Sequence, residues 1–248
     1  LRPCITVITN IEADHLDYYK DLADVQNAFA VLKSQSENVV EDYRAYVEKV
    51  PKLSVPGMHN RLNAAAALAV ADILRVDEAQ AQKSVSHFTG TWRRLEKKGE
   101  TENGTVIYDD YAHHPTEIQA SLQALRELYP KESNKKITVL FQPHLYSRTK
   151  ALFDDFVKSF TDADTVFLLP IYFAREEPDP SVSSERLSMA MCLEGLNVRV
   201  FPDFLTAEAA ISELKFGQND VFVTMGAGEA YKVADKVFKL SPPGGKEL

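Results

Sequence analysis

Eight consecutive residues, Tyr108-Asp109-Asp110-Tyr111-Ala112-His113-His114-Pro115, put two carboxyls, two phenols and two imidazoles into one short stretch. Carboxylates and imidazoles are the groups that ligate metals, hold polar ligands and move protons near neutral pH. A turn closed for structure alone would use Gly, Asn or Ser. The apolar run Thr105-Val106-Ile107 precedes the stretch and a helical pattern follows it. The cluster is therefore predicted to sit at the carboxyl end of a strand, where open α/β sheets bind ligands.

Two more predicted strands end in polar residues. Ile137 to Phe141 runs into Gln142-Pro143-His144-Leu145-Tyr146-Ser147-Arg148-Thr149, and Val221 to Thr224 runs into Met225-Gly226-Ala227-Gly228-Glu229. Gly226 and Gly228 do not complete a G-x-G-x-x-G pattern, so a dinucleotide fingerprint is weak. Three such ends on one parallel sheet share an edge, which predicts a cleft. A fourth strand end, Pro170 to Pro180, carries several prolines and reads as a surface loop, with Arg175 expected to pair with Glu176 or Glu177.

The amino-terminal third offers two further clusters. Cys4 to Thr9 reads as a buried strand and ends at Asn10-Ile11-Glu12-Ala13-Asp14-His15-Leu16-Asp17. Oxygen donors with an imidazole could hold a divalent cation, whereas spacing alone favours an acidic cap on a helix starting near Asp21. Pro56-Gly57-Met58-His59-Asn60-Arg61-Leu62-Asn63 opens an Ala-rich helix. Its first-turn N–H groups and the amides of Asn60 and Asn63 could face an anion or a polar ring edge. Taken by itself, Asn60 reads better as a cap. Arg93-Arg94 could hold phosphates, although surface arginines are commoner.

These residues need a scaffold, and the chain is long enough for one large or two ordinary domains. Its 248 residues are 45% hydrophobic and 26% charged, typical of a globular protein with a real core. The net charge of -8 argues against a broad nucleic-acid or anionic-membrane surface. Cys4 and Cys192 form no C-x-x-C pair, so neither a disulfide framework nor a cysteine metal site is expected, and a cytosolic setting fits. No apolar run approaches the ~18 residues of a spanning helix. The chain opens on Leu1 and passes almost at once into a strand, so upstream sequence is expected.

Helices are predicted at residues 21 to 33, through the Ala-rich stretch after Asn63, and at 78 to 87; residues 34 to 52 read equally as strand or short helix. Gly90 and a charged turn at Lys97-Lys98-Gly99-Glu100 place a domain boundary between residues 1–92 and 93–248. Beyond it, strands near 105–110, 136–142, 165–170, 197–201 and 220–224 alternate with helices near 115–129, 148–160, 184–193, 205–214 and 228–239. That alternation predicts an α/β fold with a mostly parallel sheet covered on both faces.

The motifs quoted above, taken together with Arg93-Arg94-Leu95-Glu96, occur in the order that resembles the Mur ligases. The resemblance implies a partial central ATPase domain followed by a Rossmann-like carboxyl-terminal domain. It further implies an ATP- and Mg2+-dependent carboxylate–amine ligase of cytoplasmic peptidoglycan synthesis, with UDP-N-acetylmuramate and L-alanine as substrates. In this resemblance His15 corresponds to a magnesium ligand, and His59, Asn60 and Asn63 to the adenine site. Arg94 would reach phosphate and Asp110 ribose, while Tyr111, His113, His144 and Arg148 would line the amino-acid and acyl-phosphate region. Three alternatives stand beside it: a murein-tripeptide ligase of the same family, a non-catalytic nucleotide- or peptide-binding module, and a plain interaction domain.

The sequence also departs from the family. No G-x-x-x-x-G-K-[ST] occurs, and Gly245-Lys246-Glu247 does not replace it. No stretch of these 248 residues resembles the family's UDP-holding domain or its acidic magnesium-ligand segment. His15 and His59 are unusually close, so sheet material between Lys33 and Lys52 is expected to be lacking. Leu145 stands where many relatives have Arg. The polypeptide alone is expected to be inactive.

Overall fold

The structure, a computed structural model, describes residues 1–16 and 18–240. Asp17 and Gly245 to Glu247 therefore lie outside the described residues. The chain divides into two compact units, Leu1–Gly90 and Thr91–Leu248.

In the first unit, strands β1 (Ile5–Val7) and β2 (Asn38–Val40) pair in parallel through the helix α1 (Leu22–Ser34). Asp21 caps α1 by accepting from the Asp24 N–H at 2.9 Å, so the acidic cap is a residue at the helix start itself. The ambiguous stretch resolves into both of its readings: Val39 and Val40 join β2, while Tyr43–Lys49 is a 3-10 helix. Helices α2 (Met58–Ile73) and α3 (Glu78–Ser86) complete the unit. Ala64, Ala65, Ala66, Leu68 and Ala69 are buried on α2, where small side chains allow close packing against Val40, Tyr43 and Val50.

The second unit is a six-stranded sheet. Its strands are β3 (Glu96–Glu100), β4 (Val106–Asp110), β5 (Lys136–Phe141), β6 (Thr165–Leu168), β7 (Val198–Val200) and β8 (Asp220–Met225), ordered β3-β4-β8-β5-β6-β7. All pairs are parallel except β3 with β4. Period-two alternation explains the two cores: Val106, Ile137, Val139, Val166 and Val223 face one layer, while Ile107, Leu140, Phe167 and Phe222 face the other. Helices α4 (Pro115–Leu128), α6 (Phe153–Lys158) and α7 (Ser184–Leu193) cover the first face, and α8 (Phe204–Ser212) and α9 (Tyr231–Val237) the second.

Two expectations change. Lys97 to Glu100 is an antiparallel edge strand rather than a turn, with a bulge between Lys97 and Gly99. Lys97 and Glu100 are exposed at the sheet edge, where charge disfavours pairing with another chain, whereas the Lys98 side chain is only 7% exposed and lies 3.6 Å from Asp235; charge at both kinds of position masked the strand. The helix expected over 148–160 is two short helices, α5 (Tyr146–Ala151) and α6, broken at Leu152.

Candidate functional site

The strand order brings the carboxyl ends of β4, β8 and β5 side by side, since β8 inserts between the other two. At the end of β4 the chain turns into α4 through a cap built by Glu117. Its Oε2 accepts from the His113 and His114 backbone N–H groups at 3.0 and 3.2 Å, and Pro115 occupies the first helical turn. Ile118, Leu122 and Leu125 bury the inner face of α4. The turn between is thereby fixed, and it carries Tyr111 and His113.

The ends of β8 and β5 are locked by close approach. Gly226 holds φ at 127°, and a Cβ there would stand 2.6 Å from the Gln142 carbonyl oxygen. A Cβ on Gly228 would overlap the Gln142 side-chain oxygen, which accepts from the Glu229 N–H at 3.3 Å. Gln142 is 4% exposed. The Gly-bearing turn thus serves to seat β8 against β5.

His113, His144 and Arg148 come together at this edge. The imidazoles of His113 and His144 have centroids 6.1 Å apart, and Tyr111 meets His113 edge-on at 5.4 Å. Arg148 lies 3.3 Å from His144 Nδ1 through its Nη1. Guanidinium nitrogens only donate, so His144 Nδ1 is the acceptor and its proton sits on Nε2. His113 has the opposite assignment: its Nδ1 faces the Tyr111 carbonyl oxygen at 3.0 Å, which only accepts, leaving Nε2 as the basic nitrogen of the neutral ring. Burial, reinforced by Arg148 and His113, lowers the His144 pKa to about 4. His144 is neutral at physiological pH, with its proton on Nε2.

The fourth strand end joins them. The stretch after β6 is more than a surface loop, because Tyr172 pairs with the end of β5: its N–H donates to Pro143 O and its carbonyl accepts from Leu145 N–H, both at 2.8 Å. The Tyr172 ring stacks on His144 at 5.3 Å. Glu176 accepts from the Ser147 N–H at 3.1 Å and from its hydroxyl. The sequence offered Tyr172 only as an aromatic beside a strand end, and a partner 28 positions away is invisible to local pattern.

Asp110, which the family resemblance places near ribose, is turned inward in this structure. It is 3% exposed, its oxygens accepting from the Ala112 N–H at 3.0 Å and the Ser121 hydroxyl at 2.5 Å. Burial pushes its carboxyl up to about 6 against these hydrogen bonds. Through these two bonds it anchors the turn that bears Tyr111 and His113. The paired arginines also differ. Arg93 is buried, with Nε 2.7 Å from Asp109 and Nη2 donating to Gly226 O at 2.8 Å, while Arg94 is exposed, over the Tyr111 ring at 5.3 Å and 3.5 Å from Glu117. Arg93 joins the ends of β4 and β8 and was not singled out from Arg94 by type or spacing.

In the first unit, the Asn60 amide donates to Pro56 O at 2.7 Å, holding the turn before α2. His59 is partly buried and Asn63 exposed along the first turns of that helix. His15 adopts φ 53°, and its ring is 3.8 Å from Asp14. Among the described residues no three His, Cys, Asp or Glu side chains gather closely enough to hold a metal ion. His15 and Asp14 supply one imidazole and one carboxylate, and an oxygen-rich magnesium shell needs further donors beside them.

A mostly parallel sheet whose carboxyl edge gathers imidazole, guanidinium and phenol side chains defines an α/β domain of the doubly covered class. A profile described as Mur ligase, glutamate ligase domain, matches residues 93–228, and the chain belongs to the Mur ligase family. Similar proteins include the UDP-N-acetylmuramate–L-alanine ligases of Caldanaerobacter subterraneus subsp. tengcongensis, 37% identical over 285 residues, and of Thermobifida fusca, 36% identical over 291. These alignments take in 94% and 96% of this chain but 60% and 61% of the relatives. The chain therefore spans about three fifths of their length. Because 285 aligned positions exceed the 248 residues here, the relatives carry residues inside the matched region that this chain lacks. The crystal structure of a UDP-N-acetylmuramate–alanine ligase from Thermotoga maritima superposes with a TM-score of 0.73 at 25% identity, covering 96% of this chain and 59% of that one.

Proposed function

We propose that this chain is the carboxyl-terminal part of a cytoplasmic ligase that joins L-alanine to UDP-N-acetylmuramate in peptidoglycan synthesis, using ATP and Mg2+, and that residues 93–248 form the domain receiving the amino acid. The observation that carries the reading is the convergence of His113, His144 and Arg148, on two different strand ends, within a chain matched by alanine-adding relatives.

Arg148 offers a planar cation to the alanine carboxylate. His144, neutral, donates from Nε2, and His113 Nε2 accepts the proton shed by the attacking amine. Tyr111 walls the same side. Bound ATP would supply the phosphoryl group that makes the muramoyl carboxylate reactive, with His59, Asn60 and Asn63 as adenine contacts and Arg94 as a phosphate contact. The sequence contains no G-x-x-x-x-G-K-[ST] cradle for the β- and γ-phosphates, so this polypeptide alone is proposed to be inactive.

Calorimetry of the 248-residue chain with L-alanine should show binding that Arg148→Ala abolishes; equal heats from both proteins would overturn the site. Phosphate release by this polypeptide alone, dependent on L-alanine and UDP-N-acetylmuramate, would overturn the proposed inactivity. Tripeptide binding in place of L-alanine would transfer the assignment to a murein-tripeptide ligase.

A further inference from the structure

The segment after β6 reaches the site by four separate contacts. Tyr172 extends the β5–β6 pairing past the strand ends by two backbone hydrogen bonds, to Pro143 and Leu145 on either side of His144. Its ring lies nearly parallel to the His144 imidazole, 28° between planes. Glu176 binds Ser147 at both backbone and hydroxyl, capping the first turn of α5 immediately before Arg148. Lys150 on the same helix reaches Asp179 at 2.9 Å. Ile171 is buried and anchors the near end, whereas Tyr172 remains 43% exposed.

A residue kept for packing alone would bury its ring. Tyr172 instead covers one face of a partly buried imidazole and leaves its own outer face toward Phe173, at 6.3 Å. Leu145, whose N–H donates to the Tyr172 carbonyl, is held at φ 72°, a conformation costly for a branched side chain and maintained here by that hydrogen bond.

We infer that Tyr172 and Glu176 are positioning residues of the site, the stacked ring fixing the plane of His144 and the carboxylate fixing the helix turn that presents Arg148. The inference rests on the proposed function only for what His144 and Arg148 do with a substrate. Their placement is measurable without any ligand, so the two ideas fail separately.

The charged and titratable groups facing His144 are Arg148 from α5, His113 from the β4–α4 turn, and Glu176 and Arg175 from this segment. Removing the ring and removing the carboxylate should therefore move His144 in opposite directions. Tyr172→Leu admits water to the imidazole and raises its midpoint from about 4 toward the ordinary value near 6.5. Tyr172→Phe keeps the stacked face and leaves the midpoint where it is. Glu176→Gln removes a charge that favours the imidazolium and lowers the midpoint. Histidine ring NMR on the 248-residue chain reads all three, and amide exchange at neutral pH adds a fourth measurement, with Ser147 exchanging faster in Glu176→Ala while Leu122 does not change. Local unfolding would instead raise the His144 midpoint in every variant. That pattern, or a midpoint indifferent to Tyr172→Leu, overturns the inference.

Discussion

The Arg93 guanidinium and the Asp109 carboxylate meet at 2.7 Å with side chains only 5% and 2% exposed. Thr224 donates to the other Asp109 oxygen at 2.6 Å, and Arg93 also lies 4.6 Å from the Tyr231 ring centre. Burial pushes the Asp109 carboxyl up, while Arg93 and Thr224 pull it back. Removing one partner of such a pair strands the other without compensation. Arg93→Met should destabilise the second unit by about 3–5 kcal/mol, and adding Asp109→Asn should recover part of that loss. Urea denaturation of the single and double variants measures it; a double variant no more stable than the single would contradict the pairing.

Asp110 predicts a pH effect of definite sign. Its folded pKa of about 6 lies above the ordinary carboxyl value of 3.8. A raised carboxyl contributes its stability below the unfolded value and loses it as pH rises through the folded one. Asp110→Asn keeps the acceptor for Ala112 and can donate to Ser121, but does not titrate. The variant should therefore gain on the wild type between about pH 4 and 6, reaching on the order of 3 kcal/mol at pH 7.5. His144 acts oppositely: its lowered pKa costs stability as pH falls from about 6.5 toward 4, in both proteins alike. The difference between the two denaturation series isolates Asp110, and parallel curves across pH 4–8 would refute the assignment.

Much of this unit was legible from its strands and helices. Pro115 after His114, with Ile118, Leu122 and Leu125 at helical spacing, announced α4, and the strand–helix rhythm announced the parallel sheet. Lys97 and Lys98 concealed β3, Lys97 because an exposed edge position needs no apolar residue and Lys98 because its covered ammonium is met by Asp235, a partner far along the chain. Asp110 entered the expected ligand contacts through the family resemblance, and local sequence did not show that it would be buried. A strand covered on both faces gives every side chain a buried environment, and Ser121, eleven positions on, supplied the partner. Tyr172 belongs to the site through cross-strand pairing, for which local sequence carries no mark.

In the first unit Tyr43 is 4% exposed and its hydroxyl donates to Thr9 O at 2.6 Å, tying the end of β1 to the 3-10 helix. Tyr43→Phe leaves that carbonyl without its donor at almost unchanged volume. The expected cost is about 1 kcal/mol, together with faster amide exchange at Ile8, whose N–H pairs with Val40 O. A Tyr43→Phe protein with wild-type urea midpoint and unchanged Ile8 exchange would show the bond to contribute nothing.

Gly226 and Gly228 both face Gln142, yet for different reasons, and their alanine variants should separate. A Cβ on Gly226 meets the Gln142 backbone oxygen at 2.6 Å, and φ of 127° is itself hostile to a side chain. Neither fault can be relieved by trimming a neighbour. A Cβ on Gly228 meets only the far end of the Gln142 side chain. Gly228→Ala alone should cost about 1–3 kcal/mol by overpacking, and Gln142→Ala in the same protein should return most of it by opening space. Gly226→Ala should cost at least as much and gain nothing from Gln142→Ala. A double-mutant cycle for each pair, read by thermal unfolding, decides the matter: strong coupling for Gly228 with Gln142 and weak coupling for Gly226 is the expected result, and the reverse ranking would show that the turn is not seated by backbone contact.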